Sequence, residues 1–332
     1  MKVAPYILSR GNWISMAEFM ELALYDEEAG YYSCNIKDIG YRGDFSTSAT
    51  LCDLPARRIV AQWRESCKAC GCRLPIIEIG GGNGDMAVAI RSAFNWKEKL
   101  FARHLMVDKS PALRKWQRLV AGSAVSICKS MEEALKKVNG KAFIFSNELP
   151  DAFPVRQFVY QGGEWLELGL AVVDGRVIRQ ADKQPLPASS VFSHWAKEGQ
   201  VVEVHESYFR WYAEWQKYWK QGCMVTIDYG QTVDRLYYRR PAGTLRGYKA
   251  HTLLGADDLP ALAGKCDITA DVNFTDLMQL AGKNDGECLQ YMSQRDFLLP
   301  MADIQKPEER HLVAEGGAGT YFNVLIQHRF CN

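Results

Sequence analysis

The amino-acid sequence predicts an α/β fold: a largely parallel sheet, an N-terminal helical cap and inserted antiparallel hairpins. From Leu74 onward, apolar runs of strand length (PIIEIG, HLMVD, AFIFSNE, MVTIDYG) alternate with helical stretches, which is the texture of βαβ units. One of those runs passes into a turn of four glycines within five residues, and the helical pattern MAVAIRSAF follows it. Between Val155 and Val177 two turn signals, QGGE and VDGR, separate short alternating runs, so hairpins are expected inside the α/β core.

The elements follow in order. Near the N-terminus, Ser15 and Glu18 have capping-box spacing, with Ile14 and Phe19 placed as the hydrophobic staple around a helix start. Phe19, Leu22 and Ala23 continue its apolar face. A glycine- and tyrosine-rich loop spans Asp26 to Thr50, and a second helix starts near Asp53 with Ile59, Val60 and Trp63 facing inward. We therefore expect a cap and lid loop over residues 1–72 and the main domain over residues 73–332, with an insertion at 152–220. The aromatic stripe Tyr208, Trp211, Tyr212, Trp215 and Trp219 recurs every three to four residues, which favours core packing over a base-stacking platform.

Composition bounds the function. Apolar residues make up 47% and charged residues 24% of 332, enough for a real core. Lysine plus arginine (40) nearly cancel aspartate plus glutamate (39), which argues against a dominant nucleic-acid or anionic-membrane surface while leaving room for a local patch. No apolar run approaches the ~20 residues needed to span a bilayer. Ten irregularly spaced cysteines and no signal-peptide pattern point to the reducing cytoplasm. Cys67, Cys70 and Cys72 cluster, but no fourth ligand stands nearby, so no metal is expected. A homodimer is left open.

The segment Glu78 to Gly84 carries the cofactor signal. Glycines at 80, 82 and 84 clear the carboxyl end of a strand and permit positive φ, and the next helix points its N–H groups at whatever sits there. A dinucleotide fingerprint, G-x-G-x-x-G, starting at Gly80 needs glycine or alanine at position 85, which is Asp85. The pattern here is E-x-G-x-G-x-G. Glu78 suits the cationic amino and sulfonium groups of S-adenosylmethionine (AdoMet) and would repel a pyrophosphate. Asp108, ending the next strand, is placed to accept both ribose hydroxyls, a feature AdoMet and NAD share.

Several blocks then stand in a recognisable order: ALYDEEAGYYS, GDFSTS, EIGGGNG, VDKSPALRKWQ, NELPDAFPVRQFV, DYG, GTLRGYKAH and DITADVNFTDL. The series resembles the MidA-type methyltransferases, the family of the mitochondrial complex I assembly factor that methylates a protein arginine. The resemblance covers nearly the whole chain. It implies a Rossmann-like class I methyltransferase with a seven-stranded sheet and the N-terminal region over the AdoMet pocket. It also implies cofactor contacts at Glu78, Gly80, Gly82, Gly84 and Asp108 and at Gly43 and Asp44 of the GDF block. Asn147, Glu148 and Asp151 become the acceptor-side catalytic cluster, and a protein becomes the expected substrate.

Chemistry supports that cluster independently. Methyl transfer is an in-line displacement on an already activated carbon, so the protein must position the acceptor and localise its lone pair. Carboxylates at Glu148 and Asp151 would pair with a cationic guanidinium, and Asn147 can accept from its N–H. Turn and cap hydrogen bonding is the plainer role for Asn147 and Asp151. Tyr25, Tyr31 and Tyr32 are lid groups or packing, and Asp228, Tyr229, Arg246 and His251 sit in blocks expected to line the cleft. The chain departs from the family at Ala49-Thr50-Leu51-Cys52, where Pro-Glu-Ile-Ser is usual, and at Asn83, where arginine is common. A small-molecule acceptor and a non-catalytic AdoMet-binding protein are the competing readings. Calorimetry with AdoMet and NAD side by side is expected to give binding heat with AdoMet alone; heat with NAD alone would reverse the assignment.

Overall fold

Each apolar run after Leu74 becomes a strand in the computed structural model, which describes residues 2–35, 51–249, 252–282 and 287–329. Gly43, Asp44, Thr50 and His251 lie outside the described residues. The strands in chain order begin with β1 (Trp13–Ser15), β2 (Ile76–Ile79), β3 (His104–Val107), β4 (Ser126–Cys128) and β5 (Lys141–Asn147). The inserted region contributes β6 (Arg156–Gln161), β7 (Glu164–Val173), β8 (Arg176–Asp182) and β9 (Val201–Val204). After it come β10 (Gln221–Gln231), β11 (Arg246–Lys249), β12 (Thr252–Gly255) and β13 (Asp267–Thr269). The last are β14 (Val272–Asn273), β15 (Glu287–Ser293) and β16 (Phe322–Arg329).

The central sheet runs β15-β16-β10-β5-β2-β3-β4, with the short β14 added parallel to the end of β10. Only β16 opposes its neighbours within that run; the pairs from β10 to β4 are parallel. Strand side chains alternate between faces, so adjacent residues enter different cores. Ile76, Phe143, Phe145 and Val225 pack with the helix Leu54–Ala69, whereas Ile77, Ile79, Ile144 and Met224 pack with the helices Met131–Lys137 and Glu206–Gln216. Helices cover both faces, which is why these strands read as continuous apolar runs.

Local signals hold where they rest on side-chain chemistry. The Ser15 hydroxyl accepts from the Glu18 N–H at 3.1 Å and the Glu18 carboxylate accepts from the Ser15 N–H at 2.9 Å, with Ile14 and Phe19 both buried beside them. The helix Leu54–Ala69 follows Asp53, and the Trp63 indole donates to the Leu74 carbonyl at 2.8 Å. In the aromatic stripe, Tyr208, Tyr212, Trp215 and Trp219 are buried in the core, with the Tyr212 and Trp215 rings 5.0 Å apart.

The insertion forms a second, antiparallel sheet in the order β1-β7-β6-β9, with β8 on β7. Its hairpins turn on Gly162-Gly163 (φ 61° and 87°) and Asp174-Gly175 (φ 50° and 75°), the paired positive φ values that match strand twist. Residues 1–72 are thus shared between layers: β1 completes the inserted sheet, and the helix Leu54–Ala69 packs on the central one. A strand of three residues carries too little period-two signal to be read from sequence. A small third sheet, β12-β11-β13, stands beside the cleft. Among the described residues no helix is long and apolar enough to cross a membrane.

Gly169 joins the N-terminus to the insertion. A Cβ there would lie 2.2 Å from the Ile14 carbonyl oxygen and 2.5 Å from the Trp13 ring, so β1 can approach β7 only across a glycine. Gly169→Ala is expected to destabilise the protein by about 1–3 kcal/mol, read as a lower thermal midpoint; an unchanged midpoint would show the contact to be slack.

Candidate active site

The central sheet reverses its winding at β2: the chain goes to β3 and β4 on one side, then to β5 and β10 on the other. At such a point the loops leaving the central strands diverge and open a crevice at the strands' carboxyl ends. A cavity of about 2160 Å³ lies there, above the ~300–1,000 Å³ usual for a small-molecule site. One half is walled by the glycine turn, the loop after β3 and residues 129–131; the other by the turn after β5, the end of β10 and the small sheet.

In the first half the glycine turn needs room more than flexibility. A Cβ on Gly80 (φ 65°) would stand 2.7 Å from a Leu149 methyl, and one on Gly81 would stand 2.6 Å from the Glu78 carboxylate and 2.3 Å from the Met106 methyl. Gly80 and Gly82 line the cavity, and so does Gly81, which two-residue spacing did not single out. Gly84 lies outside the cavity lining, between Asn83 and Asp85 which are part of it, and starts the helix Asp85–Ala93 at φ 99°. A Cβ there would meet Gln117 and Val120 of the helix Pro111–Ala121 at 3.7 Å. Spacing cannot say which side of a turn each glycine presents.

Glu78 lines the cavity but is nearly enclosed, its Oε2 3.3 Å from His104 Nε2. Burial raises its pKa, and His104 opposes that shift. Asp108 is held from two sides: Oδ1 accepts the Ser110 N–H and Oδ2 accepts the Gln117 amide, each at 2.8 Å. The same Gln117 nitrogen donates to the Gly82 carbonyl at 2.9 Å, tying the glycine turn to the acid. Burial pushes Asp108 up to about 6 against the pull of those donors. Gln117 is fully buried, and its Oε1 has no donor among the described residues. The vacated Cβ space, two enclosed acids and bridging amide fit a ligand that brings cationic groups and hydroxyls.

The second half gathers acids. Asn147 lines the cavity and donates its amide N–H to Glu148 at 2.9 Å. Glu148 sits at φ 54°, a backbone strain that fixes the turn after β5, and its N–H donates to the Ile227 carbonyl at 2.9 Å. The Asp151 carboxylate accepts from the Tyr229 hydroxyl, and its own N–H donates to Asp228 at 3.2 Å. Burial pushes Asp151 up to about 7 against the Tyr229 hydrogen bond, with Asp267 adding to the rise and Arg246 opposing it. Burial raises Asp228 too, and it is fully enclosed behind the cavity wall.

Around these, the Tyr32 hydroxyl donates to Asp267 at 2.5 Å and the Tyr25 hydroxyl to the Ala152 carbonyl at 3.1 Å, and both rings line the cavity; Tyr31 is core. Arg246 donates to Asp271 at 2.5 Å and to the Thr244 carbonyl at 2.9 Å, with its guanidinium 4.7 Å from the Tyr229 ring centroid. Arg240 pairs with the other Asp271 oxygen. Gln117, His104, Asp267 and Asp271 had no assigned role in the sequence. Their partners are distant in the chain, and no local spacing announces them. Among the described residues no group of three or more His, Cys, Asp or Glu side chains is arranged to hold a metal ion.

Residues 54–292 match the family described as putative S-adenosyl-L-methionine-dependent methyltransferases. The chain belongs to that family. It is an AdoMet-dependent methyltransferase, and S-adenosyl-L-methionine is its cofactor. Among characterised proteins it is 26% identical over 344 residues to the mitochondrial protein arginine methyltransferase NDUFAF7 of Danio rerio, covering 90% of this chain and 75% of the relative. A crystallised Burkholderia thailandensis protein bound to S-adenosyl-homocysteine superposes with a TM-score of 0.84 at 26% identity, over 98% of this chain and 90% of that one. A native structure of a Burkholderia thailandensis protein gives 0.81 over the same shares, again at 26% identity. The Rossmann-like class I fold expected from the glycine turn and the ordered blocks is the fold of the AdoMet family.

The pH behaviour of Asp151 has a definite sign. A carboxyl at about 7 in the folded state and about 3.9 unfolded binds its proton more tightly when folded, so the stability it contributes at low pH is lost as pH rises between the two values. Asp151→Asn removes that loss. Its melting temperature is expected to gain on the wild type from about pH 4 to about pH 7 and to hold that gain above; a gap that stays constant across that range would overturn the assignment.

Proposed function

We propose that this methyltransferase acts on a protein, placing the methyl group on an arginine side chain. The observation that carries the reading is the acid-lined half of the cavity, Glu148, Asp151 and Asp267, facing the glycine turn across the switch point. A guanidinium is cationic and its lone pairs are delocalised, so an acceptor of this kind needs carboxylates to hold it and to concentrate electron density on one nitrogen. The relative from Danio rerio is named for this activity.

The roles divide between the two halves. Glu78, Gly80, Gly82 and Asp108 hold the cofactor, Asp108 taking the ribose hydroxyls with its oxygens fixed by Ser110 and Gln117. Bound AdoMet supplies a sulfonium methyl open to in-line displacement. Glu148 pairs with the guanidinium, in the ionised form that a cation favours. Methylation of a guanidinium releases one N–H proton, and Asp151, at about 7, is suited to take it. Glu21, Tyr25 and Tyr32 of the N-terminal region contribute to the pocket wall, and residues 73–332 form the catalytic domain with its insertion at 152–220. The free thiols among the described cysteines support a reducing setting, the cytoplasm.

Tritium from labelled AdoMet is expected to enter a protein of a cell lysate and to become base-resistant methylarginine. Glu148→Ala should lower that incorporation by roughly ten- to hundredfold, the loss of a charge-assisted contact of about 1.5–3 kcal/mol. Undiminished labelling in the variant, or label confined to the low-mass fraction, would refute the acceptor assignment.

A further inference from the structure

We propose that the end of the central sheet opposite the cavity docks on an anionic lipid surface, through the helix Trp96–Phe101 and the cations around it. This helix lies between the helix Asp85–Ala93 and β3, at the end where the strands begin, and none of its residues lines the cavity. Trp96 is 68% exposed, Leu100 69% and Phe101 60%, an unusual density of large apolar side chains left in water on six residues. At ~100° per residue, positions 96, 97, 100 and 101 share an arc of about 140°. Glu98 turns the other way and is clamped by Arg64 at 2.7 Å, so the only carboxylate of the helix is turned inward and neutralised.

The two chain segments flanking the helix are predominantly basic, with the exposed Glu65 standing just before the second. Residues 91–104 carry Arg91, Lys97, Lys99 and Arg103 against Glu98 alone, and the adjoining turn, residues 67–75, adds Lys68 and Arg73 with no acid. The Arg73 guanidinium lies 5.5 Å from the Phe101 ring centroid and the Lys97 ammonium 5.3 Å from that of Trp96, so cations and apolar groups are interleaved. Arg91 donates to the Lys99 carbonyl at 3.3 Å and Arg103 to that of Lys137 at 3.2 Å, which pins both to this end of the sheet. The near-neutral charge of the whole chain does not cancel the patch, because fields are screened within a Debye length of about 10 Å.

That combination selects its partner. Three side chains are too few for a stable protein dimer, which buries roughly 800 Å² per partner. They are enough to enter the headgroup boundary of a bilayer when basic residues supply the long-range attraction. Nucleic acid would use the cations but leave the tryptophan, leucine and phenylalanine in water. Docking by this end turns the cavity away from the bilayer and leaves it open to an acceptor. The proposal does not depend on which acceptor is methylated.

The test sediments the full chain with phosphatidylcholine vesicles containing roughly one-third phosphatidylglycerol, and with phosphatidylcholine alone, at low salt. The protein should pellet with the anionic vesicles only and be released by salt. Trp96→Glu combined with Leu100→Glu should weaken partitioning by at least about tenfold while AdoMet affinity, a check on folding, stays unchanged. Absence of wild-type pelleting, or equal pelleting of the folded double variant, would overturn the proposal. So would an RNA oligonucleotide that displaces the wild type from vesicles and binds the variant equally well.

Discussion

The parallel pairing of β2 with β5 is the contact on which the cleft depends. Its register sets Ile79 opposite Ser146, so the next residues, Gly80 and Asn147, leave their strands side by side. The two turns then nearly touch, since a single methyl on Gly80 would collide with Leu149. A cofactor turn and an acceptor turn brought so close leave no need for a long catalytic loop between them. The rest of the sheet can be read as support: β3 presents Asp108, β10 presents Tyr229, and the helices on both faces hold the strands in plane.

Enclosed acids give the cleft its electrostatic character. Glu78, Asp108, Asp151 and Asp228 are all removed from water, and burial raises each pKa. An isolated buried carboxylate is costly, so each is partnered or kept neutral. His104, Gln117 and Tyr229 are those partners. The consequence is a cleft whose charge responds to what enters it. A cation entering it favours ionisation of the walls that bind it, and an anion meets no such response.

Much of this was legible in the sequence, and the part that was not has a common physical cause. The capping box at Ser15, the paired positive φ at Asp174-Gly175 and the glycine turn are all chemistry between near neighbours. Glu78 with His104, Asp108 with Gln117 and Asp271 with Arg240 and Arg246 join different elements, and a one-dimensional pattern has no term for them. Gly84 completes a spacing in the sequence, and in the structure it takes φ 99° at the start of the helix Asp85–Ala93, outside the cavity lining. Asn147 lines the cavity beside Glu148, to which its amide donates. Gly81, silent in the spacing, is the glycine under which the Glu78 carboxylate is tucked.

The strand β1 has a consequence for how the chain is made. Trp13 leaves the ribosome well before its partner in the sheet, Ala171. At ~5–20 residues per second, the interval between the two is on the order of 8–30 s, during which β1 and its staple have no sheet to join. Nascent chains therefore carry an unmatched edge with Trp13 and Ile14 exposed until β7 has been made. Any holdase that binds extended apolar segments would find an opportunity there.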